Sequence, residues 1–130
     1  MKYLNFLIML MFLVSCKKDK TVKSADQLIG KWELVSSSGG IAGTTINYPA
    51  GSGNTVEFNG SSFKEMRDNK LMRSGTYTTK RQISMLSQEE GDELVYEGIQ
   101  KRFFFSISDS QLSIYHDVND GFSNQYQRIN

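Results

Sequence analysis

The sequence is poor in residues that often carry chemistry, with one cysteine, one histidine and one proline among 130 residues. A single cysteine excludes an internal disulfide and a metal site built from several thiolates. A single histidine is weak ground for a metal centre, which needs clustered ligands. No Gly-x-Ser-x-Gly motif, phosphate loop or dinucleotide fingerprint is present. We therefore expect no enzymatic activity, no catalytic residues, no metal and no cofactor.

The sequence also lacks an excess of charge of either sign, since 15 lysines and arginines face 14 aspartates and glutamates. Residues 1–15 hold one of the basic residues, Lys2, and no acidic residue, so the remainder of the chain is neutral. Proteins that bind nucleic acid present a basic surface to the phosphates. A neutral remainder of about 115 residues predicts a single domain without a nucleic-acid partner.

Only one long apolar run is present, and it is N-terminal. After the basic Lys2, residues 3–14 contain a single polar side chain, Asn5. The run is shorter than the roughly 20 residues that a membrane-spanning helix needs, and it has the length of a signal-peptide core. It ends in Leu13-Val14-Ser15-Cys16, which resembles the lipobox that bacterial lipoprotein signal peptidase cleaves.

The resemblance to bacterial lipoproteins implies that Cys16 carries a diacylglycerol thioether and becomes the acylated amino terminus after cleavage. It divides the chain into a signal peptide at 1–15, a tether at 16–23 and a folded domain at 24–130. It places the protein in the cell envelope, lipid-anchored in the outer membrane, on a face that the sequence leaves open. The alternative is an ordinary signal peptide that leaves Cys16 a free thiol, but the Ala-x-Ala-like site of such peptides is absent.

Beyond the tether, the sequence shows the two-residue alternation of apolar and polar side chains that is typical of β-strands. Ser24, as N-cap, and Gln27 fit the capping box of one short helical turn before Gly30. Eight or nine short strands follow, separated by turn residues such as Asn59-Gly60. We predict an all-β fold, an antiparallel up-and-down barrel with a short N-terminal helical turn. A β-sandwich is the structural alternative.

Three segments of the predicted domain leave alternatives open or depart from hairpin spacing. Residues 94–96 and 101–108 are either two strands or one strand bent at Gly98. Residues 38–53 form a long connection with five glycines, interpreted as a lid packed on the domain or as a floppy insertion. The acidic segment around residues 88–93 is interpreted as a solvated loop.

The segment Leu28-Ile29-Gly30-Lys31-Trp32 resembles the Gly-x-Trp motif that opens the first strand of lipocalins and their small bacterial relatives. A helical turn precedes the motif, the longest connection follows the first strand, and Gly75-Thr-Tyr77 and Tyr126-Gln-Arg128 come in the order typical of such domains. The resemblance implies a barrel of the calycin type. It also implies that Trp32 closes one end of the barrel and that Arg128 lies across its ring, as a structural pair.

An eight-stranded barrel either is filled by side chains or holds one small ligand. Aromatic residues in the predicted strands are candidates for the wall of a cavity: Phe58, Phe63, Tyr77, Tyr96, Phe103, Phe105 and Tyr115. The residues predicted to contact a ligand are Phe58, Tyr77, Tyr96, Phe103 and Phe105. The expected function is non-covalent binding of a small, partly apolar ligand by an envelope lipoprotein, with residues 38–53 as a gate.

The alternative function is a protein–protein interaction module of the cell envelope, built on a filled barrel. If Phe103-Phe104-Phe105 is a strand, it must turn one ring outward. Phe104 and Ile41 would then belong to an exposed apolar patch that contacts an envelope protein. The expected partners are therefore the membrane, through the lipid anchor, and either a small hydrophobic ligand or an envelope protein.

Two further features are interpreted as ordinary surface structure. His116 lies at a predicted strand end and is expected to be a solvated histidine. Residues 117–121 superficially resemble a calcium loop, but Arg128 occupies the position of the required bidentate glutamate. The Asn-Asp-Gly sequence within this segment indicates a turn.

Overall fold

In a computed structural model, residues 23–130 of the protein are described, and they form the predicted all-β fold. One short helix precedes nine strands within this part of the chain. Their bounds are α1 Lys23–Leu28, β1 Gly30–Gly39, β2 Thr44–Asn47, β3 Thr55–Asn59, β4 Ser62–Arg67, β5 Lys70–Ile83, β6 Glu90–Tyr96, β7 Phe103–Ser108, β8 Gln111–His116 and β9 Ser123–Ile129.

Eight of the nine strands close into an antiparallel barrel. The strands neighbour one another in the order β1, β3, β4, β5, β6, β7, β8 and β9, and β9 returns to pair with β1. The other edge of β1 pairs with two strands. The first residues of β1 pair with β3, where Lys31 faces Glu57, and the last residues of β1 pair with β2, where Ser37 faces Ile46. The prediction of a barrel is confirmed, and its architecture agrees with the calycin type that the lipocalin resemblance implied.

Alternation along the strands decides which side chains fill the barrel. In β1, Trp32 and Leu34 are buried, whereas Lys31 and Val35 on the other face are exposed. The same alternation around the barrel builds one apolar core, whose buried members are Leu28, Trp32, Leu34, Val56, Phe58, Phe63, Tyr77, Leu94, Tyr96, Phe105, Leu112, Ile114 and Tyr126.

One end of the barrel, here called the closed end, is covered by α1. The indole Nε1 of the fully buried Trp32 donates a hydrogen bond to the Leu28 carbonyl at 2.8 Å. The guanidinium carbon of Arg128 lies 4.1 Å from the centroid of the Trp32 ring. Arg128 also donates to the carbonyls of Gln27 and Ile29, so one side chain joins β9, β1 and the end of α1.

The helix α1 begins two residues earlier than the sequence prediction, in which Ser24 was the N-cap and residue 25 the first helical residue. The helix begins at Lys23, so Ser24 is a helical residue and not the N-cap. The Ser24 hydroxyl instead donates a hydrogen bond to the Asp92 carboxylate at the start of β6. Because this tertiary contact satisfies the hydroxyl, the local capping box does not decide where the helix begins.

The connection predicted over residues 38–53 is only partly a loop. β1 continues to Gly39, and Thr44–Asn47 form β2, which pairs back onto β1. Tyr48, after β2, packs against the barrel core. The alternatives for residues 94–108 are also decided, because β6 ends at Tyr96 and β7 begins at Phe103.

The acidic segment is not the solvated loop that the sequence suggested. Most of it belongs to β6, where Lys80 pairs with Glu93 and Arg81 with Asp92 in the cross-strand register of β5. Glu93 is buried, and its carboxylate lies 3.3 Å from the Lys80 ammonium and 3.2 Å from Arg102 Nε. Opposite charges on facing strands stabilise the pairing. The spacing of the acidic residues along the sequence does not reveal these cross-strand partners.

The lipobox cysteine and the predicted signal peptide at 1–15 lie outside the described residues, as does nearly all of the tether. Within residues 23–130, no helix is long and apolar enough to cross a membrane.

Candidate ligand cavity

A cavity of about 170 Å³ lies inside the barrel at the end opposite α1, here called the open end. In an antiparallel barrel, alternate strands begin and end at the same rim. The lining accordingly comes from the first residues of β3, β5, β7 and β9, the last residues of β4, β6 and β8, and the adjoining loops. The lining residues are Val56, Glu65, Arg73, Tyr96, Lys101, Phe103, Ile114, His116, Phe122, Asn124 and Tyr126.

An ion pair lies on the wall of this cavity. Glu65 in β4 and Arg73 in β5 face each other across the sheet, and Arg73 Nε donates to the Glu65 carboxylate. The guanidinium carbon of Arg73 lies 4.8 Å from the ring centroid of Tyr96 and 5.6 Å from that of Phe63. Two rings and a carboxylate therefore fix the orientation of the guanidinium plane.

Two tyrosines add polar groups to the same wall. Tyr96 and Tyr126 are both buried, and burial raises the pKa of each hydroxyl above its ordinary value. Both hydroxyls therefore remain protonated at neutral pH and can donate hydrogen bonds. The Tyr96 ring is fixed by edge contacts, with centroids 4.5 Å from Phe63 and 5.6 Å from Phe103.

His116 lies on the wall of the cavity, which corrects the expectation of a solvated histidine. Its ring is half-buried, and the ring centroid lies 5.3 Å from that of Phe103. β8 ends at His116, which lies on the same inward face of the strand as Leu112 and Ile114. The alternation of β8 therefore extends to its last residue, where the sequence analysis assumed an exposed end.

The rim of the open end is built from two connections that contact each other. The Gly40 amide, between β1 and β2, donates to the Asp120 carbonyl at 3.1 Å. Gly39 approaches the backbone of Gly121 so closely that any side chain at position 39 would collide with it. Phe122, which lines the cavity mouth, is 54% exposed, and Ile41 at the hairpin tip is 96% exposed.

The five residues predicted to contact a ligand divide into two groups. Tyr96 and Phe103 line the cavity at the open end. Phe58, Tyr77 and Phe105 are buried in the core and do not line it. Phe58 and Tyr77 pack edge to face, with centroids 5.0 Å apart, and so fill the part of the barrel nearer the closed end.

The charged residues of the cavity were missed by the sequence analysis, although the alternation contained a signal for them. Glu65 lies on the same face of β4 as the inward Phe63, and Arg73 lies on the same face of β5 as the inward Tyr77. A charged side chain at an inward strand position is uncommon unless it is paired. Attention to aromatic residues alone therefore overlooked the ion pair.

Phe104 points outward from the barrel, as predicted, but it is not part of an exposed patch. It is 1% exposed, its ring stacks on Tyr115 at a centroid distance of 5.7 Å, and the Arg102 guanidinium carbon lies 5.4 Å from its centroid. Arg102 also donates a hydrogen bond at 2.9 Å to the carbonyl of Ile83, directly before the turn at residues 84–88 between β5 and β6.

Asp117 anchors that turn through its carboxylate. Its carboxylate accepts hydrogen bonds from the Ser84 hydroxyl at 2.6 Å and from the amides of Met85 and Leu86 at 2.8 and 3.1 Å. Burial alone would raise the pKa of Asp117, but these hydrogen bonds and the charge of Arg102 outweigh it and lower the pKa. Over residues 23–130, no group of three or more His, Cys, Asp or Glu side chains is arranged to hold a metal ion.

In comparisons with known proteins, no family model, curated protein or solved structure matches the chain.

Proposed function

We propose that this chain is an envelope lipoprotein whose barrel binds a small, partly apolar ligand in the cavity at its open end. The observation that carries the proposal is the ion pair of Glu65 and Arg73 on a cavity wall that combines apolar and aromatic side chains with further polar groups. The pair is only partly buried, and ion pairs that remain accessible to solvent contribute about 0–1 kcal/mol to stability, so it adds little to folding. Charged and hydroxyl groups converging on a cavity are typical of sites that orient a ligand.

The size of the cavity limits the part of the ligand that it can enclose. Its volume of about 170 Å³ is similar to that of engineered apolar cavities of roughly 150 Å³ that hold benzene. One ring or a short branched chain therefore fits inside, and any larger portion would project through the mouth. Ile41 and Phe122 on the rim would contact such a projecting part.

The lipid anchor and the envelope location are supported by the sequence of residues 13–16. The tether enters α1, which lies at the closed end of the barrel. The cavity mouth is at the opposite end, so we expect it to face away from the membrane that holds the anchor. A ligand would then enter from the aqueous side.

A second candidate function is docking of an envelope protein on the rim. Exposed apolar side chains on the two contacting connections favour it, since Ile41, Ile46 and Phe122 are each more than half exposed. Large exposed apolar side chains in one region are typical of interaction sites. Ligand binding remains the leading proposal because docking on the rim does not require a charged pair inside the barrel.

The proposal is tested with a variant that fills the cavity. Ile114→Phe enlarges a buried cavity residue, whereas Val95→Phe makes a similar enlargement on the outer side of β6, outside the cavity. In NMR titrations of the full-length protein with benzyl alcohol, we expect wild type and Val95→Phe to bind and Ile114→Phe to bind at least about tenfold more weakly, because overpacking a site costs about 1–3 kcal/mol.

Native mass spectrometry of the protein purified from its own host provides an independent test. A retained small molecule that is lost from Ile114→Phe, but not from Val95→Phe, would support the proposal. Absence of a retained molecule, together with no change in the resonances of cavity residues on adding benzyl alcohol, would overturn it and favour the interaction module.

A further inference from the structure

We infer that the ligand of this cavity is a small organic anion, such as an aromatic or short-chain carboxylic acid, and that Arg73 binds its carboxylate. This inference rests on the proposed function, because it names the chemical class that the same cavity accepts. Its basis is the juxtaposition of a half-satisfied guanidinium, a second cation and the hydroxyl groups of two buried tyrosines around one small space that also has apolar side chains on its wall.

The guanidinium of Arg73 has donors to spare. Only Nε is engaged, by the Glu65 carboxylate, and within residues 23–130 the structure shows no hydrogen bond from either terminal nitrogen of Arg73. The Arg73 side chain retains 38% of its accessible surface, and Arg73 lines the cavity. A planar guanidinium recognises a carboxylate best through two parallel N–H donors. Both terminal nitrogens are therefore available for an anion.

The surrounding groups hold this guanidinium in place before any ligand arrives. The rings of Phe63 and Tyr96 lie 5.6 and 4.8 Å from its guanidinium carbon, and Glu65 fixes its Nε edge. A side chain that is already ordered loses less conformational freedom on binding. The ion pair with Glu65 therefore acts as a support for Arg73 and leaves the opposite edge of the guanidinium free.

The charge of the lining also favours an anion. Arg73 and Lys101 oppose a single carboxylate, Glu65, and His116 adds no negative charge. The positive charge is consequently not fully neutralised by the lining itself. The Tyr96 hydroxyl, on a residue that is 3% exposed, has no hydrogen-bond partner among the described residues. It offers a further donor to an oxyanion, and the apolar part of the ligand would lie against Val56, Phe103 and Ile114.

The test compares three probes that share one ring and differ in charge: benzoate, benzyl alcohol and benzylamine. They are titrated into full-length protein in detergent, with binding followed on the methyl resonances of Val56 and Ile114 and free probe measured by dialysis. We expect benzoate to bind at least about tenfold more tightly than benzyl alcohol, because a hydrogen bond to a charged group is among the stronger ones. Benzylamine should bind most weakly.

Two substitutions in the ion pair should shift benzoate affinity in opposite directions. Arg73→Gln should reduce benzoate binding to the level of benzyl alcohol, with benzyl alcohol itself little changed. Glu65→Gln removes the competing carboxylate and should strengthen benzoate binding. Lys64→Gln is the matched control, since it removes an exposed positive charge next to Glu65 from the outer face of β4, and it should leave all three affinities within about twofold.

The outcomes separate the two proposals. Equal binding of the three probes, or tightest binding of benzylamine, would overturn the assignment of an anion while leaving the ligand site intact. No binding of any probe at the cavity methyl groups would instead overturn the proposed function. If Arg73→Gln fails to fold, Arg73→Lys and Glu65→Gln decide the matter. Arg73→Lys keeps the charge but loses the two parallel N–H donors and should weaken benzoate binding, whereas Glu65→Gln should strengthen it; if neither variant changes benzoate affinity, the role of Arg73 is overturned.

Discussion

At the scale of single residues, Trp32 holds together the closed end of the barrel. It lies in β1, donates a hydrogen bond to α1 and carries the guanidinium of Arg128 from β9 on its ring. A guanidinium over an indole contributes roughly 0.5–2 kcal/mol, and burial of the whole ring contributes more. Gly30 belongs to the same arrangement, because its φ of +137° and the proximity of Arg128 leave no room for a side chain.

We predict that Trp32→Ala lowers the free energy of unfolding by about 3–5 kcal/mol, since it removes a large, fully buried ring. Urea denaturation followed by circular dichroism measures this, because the chain has only one tryptophan and the variant loses its fluorescence. Trp32→Phe keeps most of the apolar volume and should lose clearly less. An unchanged urea midpoint for Trp32→Ala would contradict the role of the ring in closing the barrel.

At the scale of elements, the β5–β6 hairpin does more than connect two barrel strands. Arg102, which lies against the outward ring of Phe104, donates a hydrogen bond to the carbonyl of Ile83, directly before the turn at residues 84–88. The turn is held mainly through Asp117, at the end of β8, which binds three consecutive residues of the turn. One carboxylate therefore fixes the position of this turn.

We predict that the stability of the protein falls in acid partly because Asp117 becomes protonated. Its folded-state pKa is lowered below the ordinary value of 3.8, so its contribution is present above that pH and is lost as the pH falls through the folded-state pKa. Asp117→Asn should cost about 1–3 kcal/mol at neutral pH. Its unfolding free energy should also decline less steeply than that of wild type as the pH falls below 3.8.

Asp120→Asn provides the matched control, because Asp120 lies in the same connection but is exposed. It should leave both the stability at neutral pH and its dependence on acid nearly unchanged. Urea titrations at several pH values measure all three proteins. Parallel pH profiles for wild type and Asp117→Asn would show that the carboxylate does not anchor the turn.

At the scale of the whole molecule, the two ends of the barrel differ in structure. The closed end is filled by Trp32 and covered by α1, to which the tether leads. The open end holds the cavity, and its rim carries the exposed apolar side chains of Ile41 and Phe122. An anchored protein of this kind would keep its binding end at a distance from its own membrane.

We predict that the mature protein carries lipid on Cys16 and that Cys16→Ser does not. Intact-mass spectrometry of protein from membranes should show a mature chain that begins at residue 16 and bears acyl groups. Because two or more acyl chains bind a bilayer almost permanently, wild type should remain in the membrane fraction after high-salt washing. Ser15→Ala keeps a small residue before the cysteine and should still be processed. Firm membrane attachment of a Cys16→Ser protein lacking residues 1–15 would contradict the prediction.

The fold follows largely from local features of the sequence. Alternation of apolar residues identifies the strands, and short turns separate them, as at Asp68 and Asn69, whose φ values of 50° and 62° suit the tight connection between β4 and β5. The hairpin signal at Asn59-Gly60 was likewise correct in place, with Gly60 and Ser61 forming the connection. These choices depend on residues that are close in sequence, so they can be predicted without the tertiary structure.

The contents of the cavity and the burial of Phe104 were decided only by the tertiary structure. Alternation states that Phe104 points away from Phe105, but the groups that lie against its ring are Tyr115, from the facing strand β8, and Arg102, which is held by a hydrogen bond to Ile83. Similarly, the alternation of inward and outward residues places Glu65 and Arg73 inside the barrel. Whether side chains fill the space beside them depends on the packing of seven strands at one rim. The sequence by itself therefore determined the strands and their inward faces, whereas packing between distant segments determined which faces are covered and where the barrel remains hollow.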